Sequence, residues 1–179
     1  MKFIRTNIPE VILIEPKVAG DSRGFFLESF REDLMIPNGM KAKFVQDNHS
    51  HSSKGVLRGL HYQITPMAQA KLVRVVRGEV YDVAVDIRRG SKTFGQCVAV
   101  TLNEENKRML YIPEGFAHGF LVMRDHTDFV YKCTNYYSQP HERGILWNDS
   151  LVGIPWPKLD VDYILSEKDK KLPPIQEFV

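Results

Sequence analysis

The sequence predicts an all-β chain, a jelly roll (double-stranded β-helix) with a few short helices. Three observations carry this. Short runs rich in Val, Ile, Tyr and Phe recur along the 179 residues. Turn signals built on Gly, Pro, Asn and Asp separate them at fairly even spacing. Helical signals are few. Many short, evenly spaced strands suit an antiparallel barrel or sandwich, and a jelly roll is the version that holds a ligand between two curved sheets.

The elements follow in order. Val11–Glu15 (VILIE) opens the series of strands. The turn Asp21-Ser-Arg-Gly24 leads into Phe25–Phe30, and Arg31–Ile36 has room for one or two helical turns before Pro37-Asn-Gly39. Strands are expected at Lys43–Gln46 and Val56–Tyr62. The second alternates apolar with polar residues, as a strand does with one face on a core and one on a cavity. Lys71–Arg77 (KLVRVVR) and Glu79–Ile87 (EVYDVAVDI) are divided by Arg77-Gly78, and Arg89-Gly90 ends the pair. Gln96–Leu102, Arg108–Ile112, Gly119–Met123 and Asp128–Thr134 complete the set, with Pro113-Glu-Gly115 as a turn. Pro155, Pro157, Pro173 and Pro174 make the tail loop-like. Within it, Ser166-Glu-Lys-Asp169 reads as a capping box that starts a short helix. No repeat, low-complexity stretch or linker interrupts the chain, so one domain is expected across residues 1–179.

Composition narrows the function. The chain is 43% hydrophobic and 26% charged, ordinary for a domain with a proper core. A formal net charge of +2 is too small for a nucleic-acid coat, so any anion binding is local. No apolar run approaches the roughly 18 residues of a membrane span, and MKFIRTNIPE lacks the apolar core of a signal peptide. Two cysteines far apart, Cys97 and Cys133, suggest buried thiols in a reducing cytoplasm rather than a disulfide framework.

The stretch QDNHSHSSKGVLRGLHYQ, Gln46–Gln63, is the richest in chemistry. It gathers Asn48, His49, His51, Arg58 and His61. A fixed cation beside a near-neutral base suits an enzyme acting on an anionic substrate. Gly55-x5-His61-x-Gln63 and Pro113-x-Gly115-x2-His118 are also close to the two metal motifs of the cupin jelly rolls. Yet Gln63 stands where a second His is usual, and Thr65–Lys71 offers no carboxylate and ends in an ammonium. That is a poor divalent site, so no metal is expected.

These residues resemble one family closely, the dTDP-4-dehydrorhamnose 3,5-epimerases. The matching segments begin with Asp21-Ser-Arg-Gly-Phe-Phe26, Gln46-Asp-Asn-His49, Gly55-Val-Leu-Arg-Gly-Leu-His-Tyr62 and Asp82-Val-Ala-Val-Asp-Ile-Arg88. They continue with Pro113-Glu-Gly-Phe-Ala-His-Gly-Phe120, Tyr131-Lys-Cys-Thr134, Trp147-Asn-Asp149 and Leu165-Ser-Glu-Lys-Asp169. The resemblance implies a cupin-like jelly roll, a homodimer exchanging an N-terminal strand (here Val11–Glu15), and no metal or organic cofactor. It implies a dTDP-sugar, dTDP-4-dehydro-6-deoxy-D-glucose, inverted at C3 and C5. The C4 ketone acidifies both neighbouring C–H bonds, so a base, an acid on the opposite face and an enolate stabiliser suffice.

The resemblance also distributes roles. His61 is the base, Asp169 its orienting partner, Tyr131 the acid and Lys71 the enolate stabiliser. Arg23, Arg58 and Lys168 are expected on the diphosphate, with Arg58 alternatively sharing the task of Lys71. Phe26 and Tyr137 are expected to sandwich thymine. Glu28, Gln46 and Asn48 are expected on the base or deoxyribose, and His118 and Glu142 on the sugar or diphosphate. His49 is read as a supporting residue, and His51, His126 and His141 as loop or surface residues. Ser150 and the shifted proline in Ser138-Gln139-Pro140 depart from the family pattern in loops. The competing expectations are an epimerase of C3 or C5 alone, a metal-dependent cupin, and a non-catalytic sugar-nucleotide binder.

Overall fold

The computed structural model describes residues 1–40 and 43–178. Thirteen strands occur among them: β1 Lys2–Arg5, β2 Ile12–Glu15, β3 Val18–Asp21, β4 Gly24–Leu27, β5 Gln46–Ser52, β6 Leu57–Gln63, β7 Lys71–Arg77, β8 Glu79–Asp86, β9 Cys97–Asn103, β10 Met109–Ile112, β11 Phe116–Val122, β12 Thr127–Cys133 and β13 Glu142–Gly144. They form a six-stranded sheet in the order β1-β2-β10-β7-β12-β5 and a five-stranded sheet in the order β13-β6-β11-β8-β9. Neighbouring strands in both run antiparallel. The hairpin β3–β4 pairs only with itself.

Alternation explains how the sheets stack. Val73, Val75, Leu110, Ile112 and Phe129 of the first sheet meet Val80, Ala84, Val98, Leu102, Phe120 and Val122 of the second in one buried cluster. The intervening residues face outward. Ile12, Ile14, Leu72, Met109 and Tyr111 pack beneath Met35, Met40, Phe30 and Phe44. Leu60, Val83, Val85 and Ala117 pack beneath Ile145, Val152, Ile154, Trp156 and Ile175 of the C-terminal tail. Period-two side chains thus separate a two-sheet core from two covered outer faces.

Several boundaries differ from expectation. The strand placed at Lys43–Gln46 begins only at Gln46 and runs to Ser52. Its residues are almost all polar because one face lines a cavity and the other meets solvent, so no apolar alternation marks it. β1, β3 and β13 are four residues or fewer, too short for periodicity to announce. Arg31–Ile36 forms one α-turn, Glu32–Met35, then a 3₁₀ turn closed by Gly39 at φ 92°. The C-terminal capping box starts a single 3₁₀ turn, Asp169–Lys171, rather than a longer helix, because Pro173 and Pro174 follow at once. Val11–Glu15, the segment expected to exchange, is paired here within its own chain over Ile12–Glu15. It lies between β1 and β10 in its own sheet, and the β3–β4 hairpin after it is the exposed element.

Candidate active site

At one end of the space between the sheets the apolar layer gives way to polar side chains. The opening consists of two adjoining cavities of ≈ 490 and ≈ 310 Å³ that share His61, Lys71 and Tyr131. Lys71 and Tyr131 come from β7 and β12 of the six-stranded sheet, where Cys133 pairs with Lys71 and Tyr131 with Val73. His61 comes from β6 of the five-stranded sheet, opposite His118 on β11. Base and acid candidates therefore enter from opposing walls.

Simple alternation cannot put Arg58 and His61 into one cavity, since a spacing of three crosses the strand. The structure solves this with a bulge. His61 pairs with His118 and Arg58 with Phe120, so three steps on β6 match two on β11. Gly59 sits in the bulge at φ 121°, and a Cβ there would lie 2.6 Å from the Gly119 Cα. Only glycine fits so close an approach in that conformation.

His61 Nε2 lies 2.7 Å from Asp169 Oδ1, with Asp169 5% exposed and His61 27%. With Nε2–H donated to the carboxylate, Nδ1 carries the lone pair. Burial raises the Asp169 pKa, but the hydrogen bond and charge of His61, the Gly59 N–H and Ser166 outweigh it and hold the carboxyl below its ordinary value. The Asp169 N–H donates to Ser166 Oγ at 3.1 Å. The capping interaction and the His61 pair coexist because the backbone serves the first and the side chain the second.

Tyr131 packs its ring against Phe129 at 5.8 Å between centroids. Burial raises the pKa of its phenol, which keeps the proton in place at neutral pH. Burial lowers that of Lys71, and Cys133, Asp82 and Glu142 oppose the shift. Lys71 Nζ donates to the His61 carbonyl oxygen at 3.5 Å, spanning the gap between the sheets.

The rim is laced by hydrogen bonds. Glu142 Oε2 accepts from Tyr137 OH at 2.9 Å and faces Lys168 Nζ at 2.6 Å. Gln46 Nε2 donates to Asn48 Oδ1, and Gln46 Oε1 accepts the Tyr137 N–H. Arg58 donates to Ser52 Oγ. Gln63, on the wall of the smaller cavity, donates to the Met67 and Tyr136 carbonyls and accepts the Ser138 N–H, so it pins two loops.

Of the residues singled out from the sequence, His61, Lys71, Tyr131, Asp169, Arg58, His118, Lys168, Gln46, Asn48, Tyr137 and Glu142 line these two cavities. Arg23, Phe26 and Glu28 do not. Arg23 is paired with Asp21, Glu28 faces Arg31, and Phe26 is 70% exposed on the projecting hairpin. His118 lines the larger cavity from behind its opening. It is buried and bonded to Asp82 at 2.9 Å. His49 does not support the cavity, because its place on β5 turns it outward toward Asp128. Sequence reading passed over Asp82. A carboxylate between the core residues Val80 and Ala84 was the available signal.

The family model described as dTDP-4-dehydrorhamnose 3,5-epimerase matches residues 5–177. The chain belongs to the dTDP-4-dehydrorhamnose 3,5-epimerase family. A relative of that name from Shigella flexneri is 59% identical over 170 residues, covering 94% of this chain and 93% of its own. A solved dTDP-6-deoxy-D-glucose-3,5-epimerase from Legionella pneumophila, in complex with dTDP-4-keto-L-rhamnose, superposes with a TM-score of 0.94 at 50% identity, over 99% of this chain and 96% of that one. ChmJ, a 3'-monoepimerase from Streptomyces bikiniensis in complex with dTDP-quinovose, matches with a TM-score of 0.89 at 34% identity, over 96% and 86%. The cupin-like jelly roll is thus the family's fold as well as this chain's. Among the described residues, no helix is long and apolar enough to cross a membrane.

Proposed function

We propose that this chain inverts C3 and C5 of dTDP-4-dehydro-6-deoxy-D-glucose to give dTDP-4-dehydro-L-rhamnose. One observation carries the residue roles: an imidazole oriented by a buried carboxylate faces the Tyr131 phenol and the Lys71 side chain from the opposing sheet, in one cavity. His61 Nδ1 takes the proton from the carbon next to the C4 ketone. The electron pair moves into the ring as an enolate, and Lys71 stabilises its oxygen. Tyr131 then delivers a proton to the other face of that carbon, which completes the inversion. Solvent returns a proton to the phenolate and removes one from the imidazolium. The sequence repeats at the second carbon. General acid–base groups of this kind contribute about 10²–10⁴-fold each, and the ketone supplies the carbon acidity for which other epimerases need a cofactor.

Arg58 and Lys168 suit the diphosphate, and Tyr137 with Gln46 and Asn48 suits the nucleoside. The exposed Phe26, with Arg23 and Glu28, suits a second copy of the chain, whose cavity this hairpin would complete in a homodimer. The reading also has one domain across the chain, in a reducing cytoplasm that keeps Cys97 and Cys133 free. Double rather than single inversion is favoured by the higher identity to the 3,5-epimerases than to the monoepimerase. His61→Asn tests the reading: turnover should vanish while dTDP still binds. Retained turnover refutes the role of His61, and a monomer in light scattering refutes the dimer.

A further inference from the structure

Asp82 is a buried charge that the proposed chemistry leaves without a task. It sits mid-strand on β8 at 0% exposure, between the core residues Val80 and Ala84. An ionised carboxylate at such a place is costly unless something answers its charge. Oδ2 accepts from His118 Nε2 at 2.9 Å. Oδ1 is buried and, among the described residues, has no hydrogen-bond partner.

His118 does not cancel the charge. Burial holds its imidazole toward the neutral form, with Lys71 and His61 reinforcing that and Asp82 opposing it. A neutral imidazole donates a hydrogen bond and leaves the pair with a net negative charge. Lys71 is the cation that needs it. Lys71 shares the two cavities with Arg58, His61 and Tyr62 on β6, His118 on β11, Tyr131 and Cys133 on β12, Tyr137 and Glu142 at β13, and Lys168 and Asp169 of the tail. Asp82 on β8 lies behind His118, bonded to it, and its charge favours the Lys71 ammonium. Burial keeps the Tyr131 phenol and the Cys133 thiol protonated. Glu142 is already engaged by Lys168 and Tyr137, and Asp169 by His61. Asp82 is the anion with an oxygen to spare.

We propose that Asp82, held in place by His118, is a positioning residue that keeps Lys71 an ammonium at the substrate's carbonyl oxygen. The proposal rests on the epimerase reading of the site. It gives the unpartnered Oδ1 a purpose. A hydrogen-bonded partner there would fix Asp82 but would also dilute its field at Lys71.

The test is the pH profile of kcat for the full-length enzyme with Asp82→Asn, Asp82→Glu and Lys71→Met. Loss of an opposing charge at close range moves a pKa by about 1–3 units. Asp82→Asn should therefore shift the alkaline limb to lower pH by at least about one unit, with KM nearly unchanged. Activity lost at pH 8 should return on acidification, and Asp82→Glu should restore part of the wild-type profile. A uniform fall in kcat with an unmoved limb overturns the proposal. So does a raised KM with an unmoved limb, which would mean that Oδ1 binds a substrate hydroxyl. Lys71→Met separates the two levels. If it keeps full turnover, the enolate role of Lys71 fails, whatever Asp82 does. Should Asp82→Asn not fold, the wild-type Lys71 Nζ resonance, identified by its loss in Lys71→Met, takes its place. An ammonium persisting above pH 8 supports the proposal, and a neutral amine at pH 7 overturns it.

Discussion

The two faces of the β5–β12 pair carry the same chemical groups to different ends. On the inner face lie Gln46, Asn48, Tyr131 and Cys133, all lining the smaller cavity. On the outer face His49 and His51 both bond Asp128 Oδ1, each at 2.9 Å. That carboxylate sits below its ordinary pKa through the hydrogen bond from His51 and then that from His49, much as Asp169 is held down by His61. The imidazoles outside are 60% and 55% exposed. At that exposure water competes for them. Inside, the opposing sheet supplies Tyr131 and Lys71 across the shared cavity. A histidine–carboxylate pair is therefore no mark of a catalyst. A wall opposite the pair, carrying the complementary acid, is the better sign.

That contrast can be broken or sharpened experimentally. The largest effect should come from His61→Asn, with kcat lower by about 10³-fold or more and dTDP affinity within a few-fold by calorimetry. Tyr131→Phe comes next, with net inversion reduced about 10²–10³-fold. Exchange of the substrate's C–H with solvent should be reduced less, since His61 still removes and returns protons on its own face. Equal loss of both would mean that Tyr131 supports the base rather than supplies the acid.

Asp169→Asn should cost about 2 kcal/mol of unfolding free energy at pH 6, the scale of a buried hydrogen bond to a charged group. The sign of its pH dependence follows from a folded pKa below the ordinary 3.8. The stabilisation is complete above that value and disappears as pH falls through the folded one. The gap between wild type and variant should thus narrow below about pH 4 in urea titrations, and a gap that widens there would reverse the assignment. The smallest effect belongs to the outer face. His49→Gln with His51→Gln should change stability by about 0.5 kcal/mol at most and kcat by less than about two-fold, as steady-state rates would reveal.

Strands with an apolar alternating face were legible in the sequence, and Lys71–Arg77 matches its expected bounds. β5 was not, since a strand between a polar cavity and solvent has no apolar face to betray it. The outward turn of His49 was hidden for the same reason. The pairing of His61 with Asp169 came from family resemblance, because 108 residues separate them and only the tail's course brings them together. The bulge that lets Arg58 and His61 share a cavity was legible only as a glycine. Asp82 was visible as a carboxylate in an apolar run, but its missing partner is a property of the packed sheets. Arg23, Phe26 and Glu28, expected on the substrate, lie outside the two cavities of their own chain, which their sequence context does not reveal.

The central claim is that one cavity, with one base and one acid on opposing walls, exchanges the protons on both sides of a ketone. It is tested most directly by NMR of dTDP-4-dehydro-6-deoxy-D-glucose incubated with the enzyme in D2O. Deuterium at both C3 and C5 of an L-configured product, abolished in His61→Asn, is the result expected. Label at a single carbon, or undiminished label in His61→Asn, would contradict it.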